Sequence, residues 1–532
     1  MAQQTQHIID ARAFVLVAMW RFCHKAAWSA SSCHKPDGGH RTDSRVYTLG
    51  LSRPRAPSVV SATPRIVRLV TSERPLRVAI VGAGPAGTYA ADILSKTDLH
   101  VSIDIIERLP APFGLVRYGV APDHPRIKQI IVALANVLGR SDIRLLANVN
   151  IGTDLSLQDL AEHYDAVIYA TGSFKDADLN IPGIELEGSY GAADFVSWFD
   201  GHPDVSRTWP LEAKDVAVFG VGNVALDVAR ILSKHPKDLA PTEIPGNVME
   251  LLENSPVTDV HIFGRRGPAQ VKFSPLELRE LGHVPDVDII VYPEDYDFDE
   301  GSLQFLEENR QAKQAVKTLT DWTLKEPAGA SRRIHLHFLQ SPHEVLGDDG
   351  KVTGVRVERT ALQGDCSVKG TGEFIDYPVQ AVYRAVGYYG TEIDGVPFDD
   401  AKGVIANEGG RVVNNGDVVP GIYTTGWIKR GPVGLIGSTK SDASETIANL
   451  VEDADRLYAE SIAGAEQRSP DNILRLLKSR GVDVVQWHDW ELLDQHELAL
   501  GEADGRTRVK VVPREEMTDI ALNRNEVTSH LR

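Results

Sequence analysis

LRVAIVGAGPAGTYAADIL, residues 76–94, is the stretch whose reading decides the fold. Four consecutive apolar residues, Val78 to Val81, run into Gly82-x-Gly84-x-x-Gly87 and then into an Ala-rich helical pattern. An unbroken apolar run before a glycine turn reads as a parallel strand buried on both faces. Gly82 allows the tight turn, and Gly84 lets backbone approach a pyrophosphate. Gly87 lets the helix pack close to the strand, and phosphates sit on the positive N-terminal end of that helix. A second strand, VSIDIIE, ends at Glu107, 25 residues past Gly82. A carboxylate there is placed to bond ribose hydroxyls. The bland alternative, a tight turn in some other α/β unit, explains the glycines but not the acid.

The pattern returns in DVAVFGVGNVALDVARIL, Asp215 to Leu232, as strand, Gly220-x-Gly222-x-x-Ala225 and helix. The next strand, in VHIFGRRGP, ends in Arg265-Arg266 rather than in an acid. Two guanidiniums suit a 2′-phosphate, which they meet with forked, charge-assisted hydrogen bonds, so the second site should prefer NADP to NAD. The competing reading is an exposed arginine pair on a loop. Two dinucleotide sites in one chain point to a flavin exchanging electrons with a nicotinamide, with FAD in the first site and NADP(H) in the second.

Composition agrees with this class and excludes others. A chain of 532 residues, 42% hydrophobic and 24% charged, holds two or three domains with room for a large flat ligand. Its formal net charge is −18, although residues 1–75 carry 11 Lys+Arg against 4 Asp+Glu. A body this acidic argues against nucleic-acid binding. Three cysteines (Cys23, Cys33 and Cys366) without CxxC exclude a dithiol centre of the usual spacing and an internal cysteine-ligated cluster. They also point to a reducing compartment. The longest early apolar run, Phe14 to Trp20, is too short to span a membrane.

The leader reads as a disordered tail joined to translation upstream of a start near Val70, or as a transit peptide. Its two Cys-His-Lys triplets lack metal-site spacing, and no metal is expected. Localisation is read as cytoplasmic, or as the mitochondrial matrix if residues 1–75 act as a transit peptide. FGLVRYGVAPDHPRIK, Phe113 to Lys128, fits neither a strand nor a helix period until after Pro125.

From Leu76 to about Asp455 the chain closely resembles the adrenodoxin reductase family of NADPH–ferredoxin reductases, its bacterial members in particular. The blocks that carry the resemblance are GAGPAGTYAA, ERLPAPFGLVRYGVAPDHPRIK, GNVALDVARIL, GRRGPAQ with LELREL, and GWIKRGPVGLIG. Residues 471–515 match the C-terminal extension of the bacterial members less strongly. The resemblance implies an α/β protein with two Rossmann-like dinucleotide-binding domains, the NADP domain inserted into the FAD domain. The expected division is a leader at 1–75, the FAD domain at 76–173 and 385–455, the NADP domain at 174–384, and an extension at 456–532.

By the same resemblance Ala86 and Glu107 contact FAD beside Gly82, Gly84 and Gly87, Leu115 touches it, and Trp427 with Gly434, Leu435 and Ile436 covers it. Asn223 and Val224 join Gly220 and Gly222 at the NADP phosphates. Arg265 and Arg266 stand at the 2′-phosphate, Glu277 is within reach of the nucleotide, and Gly434 also faces NADP. His124 and Glu280 lie near the reacting centre, as tuning groups rather than obligatory acid–base catalysts. A histidine there is expected to change charge near neutral pH. One departure bears on nucleotide affinity: Ala177 stands where bacterial relatives usually carry an arginine that helps hold NADP.

The reaction implied is hydride transfer from NADPH to FAD, followed by single-electron transfer to a separate iron–sulfur protein, or the reverse. Arg126, Lys128, Lys429 and Arg430 are the candidate basic patch for that acidic partner. The alternatives are a diaphorase or quinone reductase with a small-molecule acceptor and, more distantly, a non-catalytic NADP- and flavin-binding sensor.

Overall fold

The computed structural model describes residues 74–434, 436–460 and 467–524. Residues 1–73 of the leader, Leu435 and, in the extension, residues 461–466 and 525–532 lie outside the described residues.

Leu76–Val81 is a strand with every residue buried. It lies in parallel register between Val101–Glu107 and Ala166–Tyr169. Ile143–Ala147 extends this first sheet on one side, and Asp417–Thr424, Arg411–Asn414 and Asn407–Glu408 extend it on the other, giving seven strands. Val78 and Ile80 enter one core with Ala90, Leu94 and Ile105, while Ala79 and Val81 enter another with Leu146 and Val167. Two buried faces explain why the sequence shows an unbroken apolar run instead of alternation.

The second sheet has six strands, all parallel. Asp215–Phe219 lies between Ala381–Arg384 and Asp259–Gly264, and its alternate residues again feed separate cores. In chain order this sheet falls between two neighbouring strands of the first, Ala166–Tyr169 and Asp417–Thr424, which pair at Val167 and Ile422. The two crossings run side by side, Lys175–Asp176 antiparallel to Tyr388–Tyr389. A three-stranded antiparallel sheet, Gln340–Asp348, Lys351–Leu362 and Val368–Tyr377, shares a core with Phe219 and Phe263. The α/β class with parallel sheets is thus borne out. Each glycine turn leaves the carboxyl end of a strand whose two neighbours arrive from different parts of the chain, the place where such sheets open a crevice.

Beyond the helix Ile436–Glu460, which packs along Pro85–Leu94, the chain forms helices Pro470–Ser479, Trp487–Ala503 and Arg514–Ala521. Val485 pairs with Ala147 at the edge of the first sheet (2.8 and 2.9 Å). Trp490, Leu493 and Met517 complete the core beneath it. No helix among the described residues is long and apolar enough to cross a membrane.

The loop Phe113–Lys128 is more regular than its periodicity predicts. Leu115–Tyr118 makes one helical turn between Gly114 and Gly119, and Pro125–Lys128 makes another. A single turn is too short for a 3.6-residue period to register.

Candidate active site

Both glycine turns have the same local build. Gly82 and Gly220 have φ of 114° and 133°, and a Cβ on either would lie within 2.5 Å of a carbonyl oxygen, Ala170 or Ala385, of the neighbouring strand. The helices that follow, Pro85–Leu94 and Asn223–Ser233, start at Gly84 and Gly222 with no side-chain cap. Apart from Pro85, which has no N–H, and Ala225, whose N–H donates to the Gly222 carbonyl (3.0 Å), their first-turn N–H groups remain available to an anion. The Thr171 and Ser173 hydroxyls, just past Ala166–Tyr169, are buried without a hydrogen-bond partner among the described residues. This donor set fits a phosphate-bearing dinucleotide.

Distant parts of the chain close on the first turn. Gly114 approaches Gly84 so nearly that a Cβ on it would stand 3.2 Å from the Gly84 Cα. Gly426, at φ 79°, abuts Ala86, where a Cβ would fall 2.5 Å from the Ala86 Cβ. Leu115 and Trp427 begin the helical turns that follow these two glycines. Gly434 and Ile436 stand at the start of the helix packed along Pro85–Leu94. The Glu107 oxygens accept the Ala83 and Leu109 N–H groups (2.9 and 3.0 Å). Burial pushes its carboxyl up, opposed by those donors.

At the second turn the Asn223 side chain accepts the Ser274 N–H (2.8 Å). Ser274 caps the helix Pro275–Leu281, which carries Glu277 and Glu280. Val224 is partly buried against the larger core of the second sheet. Arg265 is exposed and Arg266 half-buried beyond Asp259–Gly264, and neither guanidinium has a hydrogen bond or ion pair among the described residues. Ala177 is buried, with its N–H on the Gly387 carbonyl (2.9 Å).

The two parts meet at His124. Its Nε2 lies 2.9 Å from Glu277 and 3.2 Å from Asp227, and its Nδ1 lies 3.1 Å from Glu280. The preceding Asp123 takes Arg230 (2.7 Å) and Lys234 (2.6 Å), and Arg230 also holds Asp227 (2.6 Å). Burial opposes the charged imidazole, but the Asp227 and Glu277 carboxylates outweigh it and raise His124 to about 9. The Arg230 guanidinium beside Nε2 also opposes the charged form, yet the net shift is upward, so the ring's charge changes well above the neutral range expected from its residue type. Sequence reasoning missed Asp227 and Arg230. Their spacing of three on the helix after Gly222 puts both on one face, but nothing in it says that the face meets Asp123 and His124.

The proposed basic patch is corrected. Lys128 and Lys429 are buried, each 7% exposed. Lys128 neutralises Glu243 (2.7 Å) and Asp200 (3.4 Å), and Lys429 neutralises Glu445 (2.7 Å) and Asp442 (3.2 Å). Arg430 turns to Asp442 (3.1 Å), leaving Arg126 exposed. Lys128 and Lys429 are internal counter-ions.

Comparison with known proteins identifies the family. A family model described as pyridine nucleotide-disulphide oxidoreductase matches residues 76–264. The chain is 41% identical over 466 residues to NADPH-ferredoxin reductase FprA of Mycobacterium tuberculosis, covering 84% of this chain and all of that protein. It is 39% identical to the mitochondrial NADPH:adrenodoxin oxidoreductase of Arabidopsis thaliana, covering 85% of this chain and 96% of that one. The solved structure of M. tuberculosis FprA in complex with NADPH superposes with a TM-score of 0.76 at 40% identity, covering 84% of this chain and all of that one.

Proposed function

The chain belongs to the adrenodoxin reductase family of NADPH–ferredoxin reductases, and we propose that it moves electrons between NADP(H) and a separate iron–sulfur protein by way of FAD. The observation that carries this reading is the junction at His124, where the loop running past the first glycine turn is ion-paired to the helices that start at and beside the second. Two dinucleotides held by those turns would have their reactive ends at one buried boundary.

In this reading residues 76–173 and 385–455 hold FAD and residues 174–384 hold NADP(H). Gly82, Gly84, Ala86 and Gly87 cradle the first pyrophosphate and Glu107 the ribose. Leu115, Trp427, Gly434 and Ile436 flank the flavin. Gly220, Gly222, Asn223 and Val224 take the second pyrophosphate, and Arg265 and Arg266 the 2′-phosphate. When bound, FAD supplies the step from a two-electron hydride to single electrons. The chain supplies alignment and a fixed field. His124 holds its protons between Asp227 and Glu277 on one edge and Glu280 on the other, and its charge offsets carboxylates that would otherwise repel an anionic nucleotide. Glu277 and Glu280 orient the ring. The reaction belongs in a reducing compartment, the cytoplasm, or the mitochondrial matrix if residues 1–75 act as a transit peptide.

The test is a visible spectrum of the purified protein followed by anaerobic titration with NADPH and, in parallel, NADH. A flavin band bleached by NADPH and poorly by NADH is expected. Equal bleaching would remove 2′-phosphate discrimination from the Arg265–Arg266 pair, and absence of flavin would sink the reductase reading. Turnover with a ferredoxin against turnover with a quinone then separates the proposed acceptor from a small-molecule one.

A further inference from the structure

The C-terminal segment 470–524 takes no part in the reaction proposed above, yet it touches both parts of the molecule. On the FAD side, Trp487 and Trp490 meet the Phe113 ring at 6.5 and 5.8 Å between centroids. The buried Glu497 carboxylate holds the buried Arg117 guanidinium (2.6 and 3.0 Å), Arg508 (2.7 Å) and the Val511 N–H (2.9 Å). On the NADP side, Arg506 donates to the Thr242 and Ile244 carbonyls, and Arg514 pairs with Asp204 (2.8 Å).

Between these contacts sits Lys510, 1% exposed at its side chain. Its ammonium donates to the Arg117 carbonyl (2.8 Å) and the Asp200 carbonyl (2.9 Å) and pairs with Glu243 (2.8 Å). Arg117 lies two residues past Leu115. Asp200 ends the helix Ala192–Phe199, which packs on the helix that starts at the second glycine turn. One cation thus joins the backbone of the flavin-side turn to the backbone of the NADP side. Burying an ammonium costs several kcal/mol, and apolar residues in place of a whole buried ion pair often stabilise as well or better. What the apolar side chain cannot do is fix two carbonyls by directional bonds.

We propose that Lys510 is a positioning residue, which sets the loop carrying Leu115 and His124 against the body carrying Arg265 and Arg266, and so the alignment of nicotinamide with flavin. This rests on the reductase reading of the two glycine turns. The experiment uses flavin-loaded full-length protein with Lys510→Met, and Glu497→Gln as a variant that loosens Arg117 and the Arg508–Val511 segment but keeps the Lys510 ammonium. Hydrogen exchange is followed in segments 116–118 and 200–243, and anaerobic flavin reduction by NADPH and by NADPH deuterated at C4 is followed by stopped flow. Lys510→Met should speed exchange in both segments by about tenfold or more, and Glu497→Gln chiefly in the first. Reduction in Lys510→Met should slow by about tenfold to a hundredfold with a larger isotope effect, while the NADP⁺ Kd stays within about twofold. Exchange that rises in one segment only, or a loaded fraction reduced at the wild-type rate, overturns the proposal. Should Lys510→Met not fold, Lys510→Gln keeps a polar side chain too short to reach both the Arg117 and Asp200 carbonyls, and unchanged exchange in both segments with unchanged reduction there overturns the proposal equally. Wild-type protein that NADPH fails to reduce would sink the reductase reading, and the exchange arm would still decide whether Lys510 joins the two sides.

Discussion

Replacing Arg265 and Arg266 together by alanine tests nucleotide choice with little structural side effect. Neither guanidinium has a partner among the described residues, so the change strands no buried carboxylate, and stability should move by no more than about 0.5 kcal/mol. A charge-assisted hydrogen bond to phosphate contributes about 1.5–3 kcal/mol when shielded from water. Arg265 is exposed and Arg266 half-buried, so solvent screening brings each to about 1–1.5 kcal/mol and the pair to about 2–3 kcal/mol. At 1.4 kcal/mol per decade, NADP⁺ affinity should fall about 30- to 150-fold, whereas NAD⁺ affinity should change by less than about threefold. Absorbance titrations of the bound flavin with each nucleotide, at low and high salt, give both constants. The wild-type preference should shrink with salt and the variant's residual affinity should respond much less. An NADP⁺ loss below about fivefold, or equal losses for the two nucleotides, would refute the assignment.

Three further outcomes can be checked by similar means. The folded-state pKa of His124 is raised to about 9, so its contribution to stability is complete below its ordinary value near 6.5 and is lost as pH rises through about 9. Thermal stability and flavin reduction should therefore decline together on the alkaline side, and His124→Gln should abolish that limb; an identical limb in the variant would count against the charged cluster. His261 goes the other way: burial first, then the His335 and His337 imidazoles, push it down to about 3. Below about pH 6.5 the unfolded chain binds a proton that the folded one refuses, so stability falls toward acid by about 1.4 kcal/mol per pH unit. Melts at pH 7, 6 and 5 should show a flatter acid slope in His261→Gln, and parallel slopes would refute it. Gly426→Ala places a Cβ 2.5 Å from that of Ala86 at φ 79°. It should cost about 1–3 kcal/mol and reduce flavin content, and full occupancy would show that the contact does not shape the turn.

Legibility in the sequence followed the range of the interactions concerned. Val78 to Val81, the turn at Gly82 and the start of the next helix are decided within about twenty residues, and so are Asp215–Phe219 and Gly220. Their buried parallel pairing could be read because both faces of each strand are apolar. The convergence of Gly114 and Gly426 on the first turn depends on backbones more than three hundred residues apart. It entered the sequence reading only through resemblance to a known family. Lys128 and Lys429 show a different obstacle. A lysine in a loop reads as a solvated charge, and only the fold shows that Glu243, Asp200, Glu445 and Asp442 are packed around these two.

The same long-range pairing accounts for where this acidic chain keeps many of its cations. Arg117 meets Glu497, Asp123 meets Arg230, and Lys510 meets Glu243, each pair joining segments more than one hundred residues apart. A buried ion pair contributes little net stability compared with apolar packing, but removing one partner is costly and the geometry it holds is narrow. Apart from Ala121, which enters the core of the second sheet, the larger apolar cores fill each side of the molecule separately, whereas directional charges mark where the sides join. Transfer between two bound dinucleotides is sensitive to displacements of about 1 Å. A boundary held by such pairs therefore suits the proposed reaction better than a greasy one, because an apolar contact slides at little cost and an ammonium bound to two carbonyls does not.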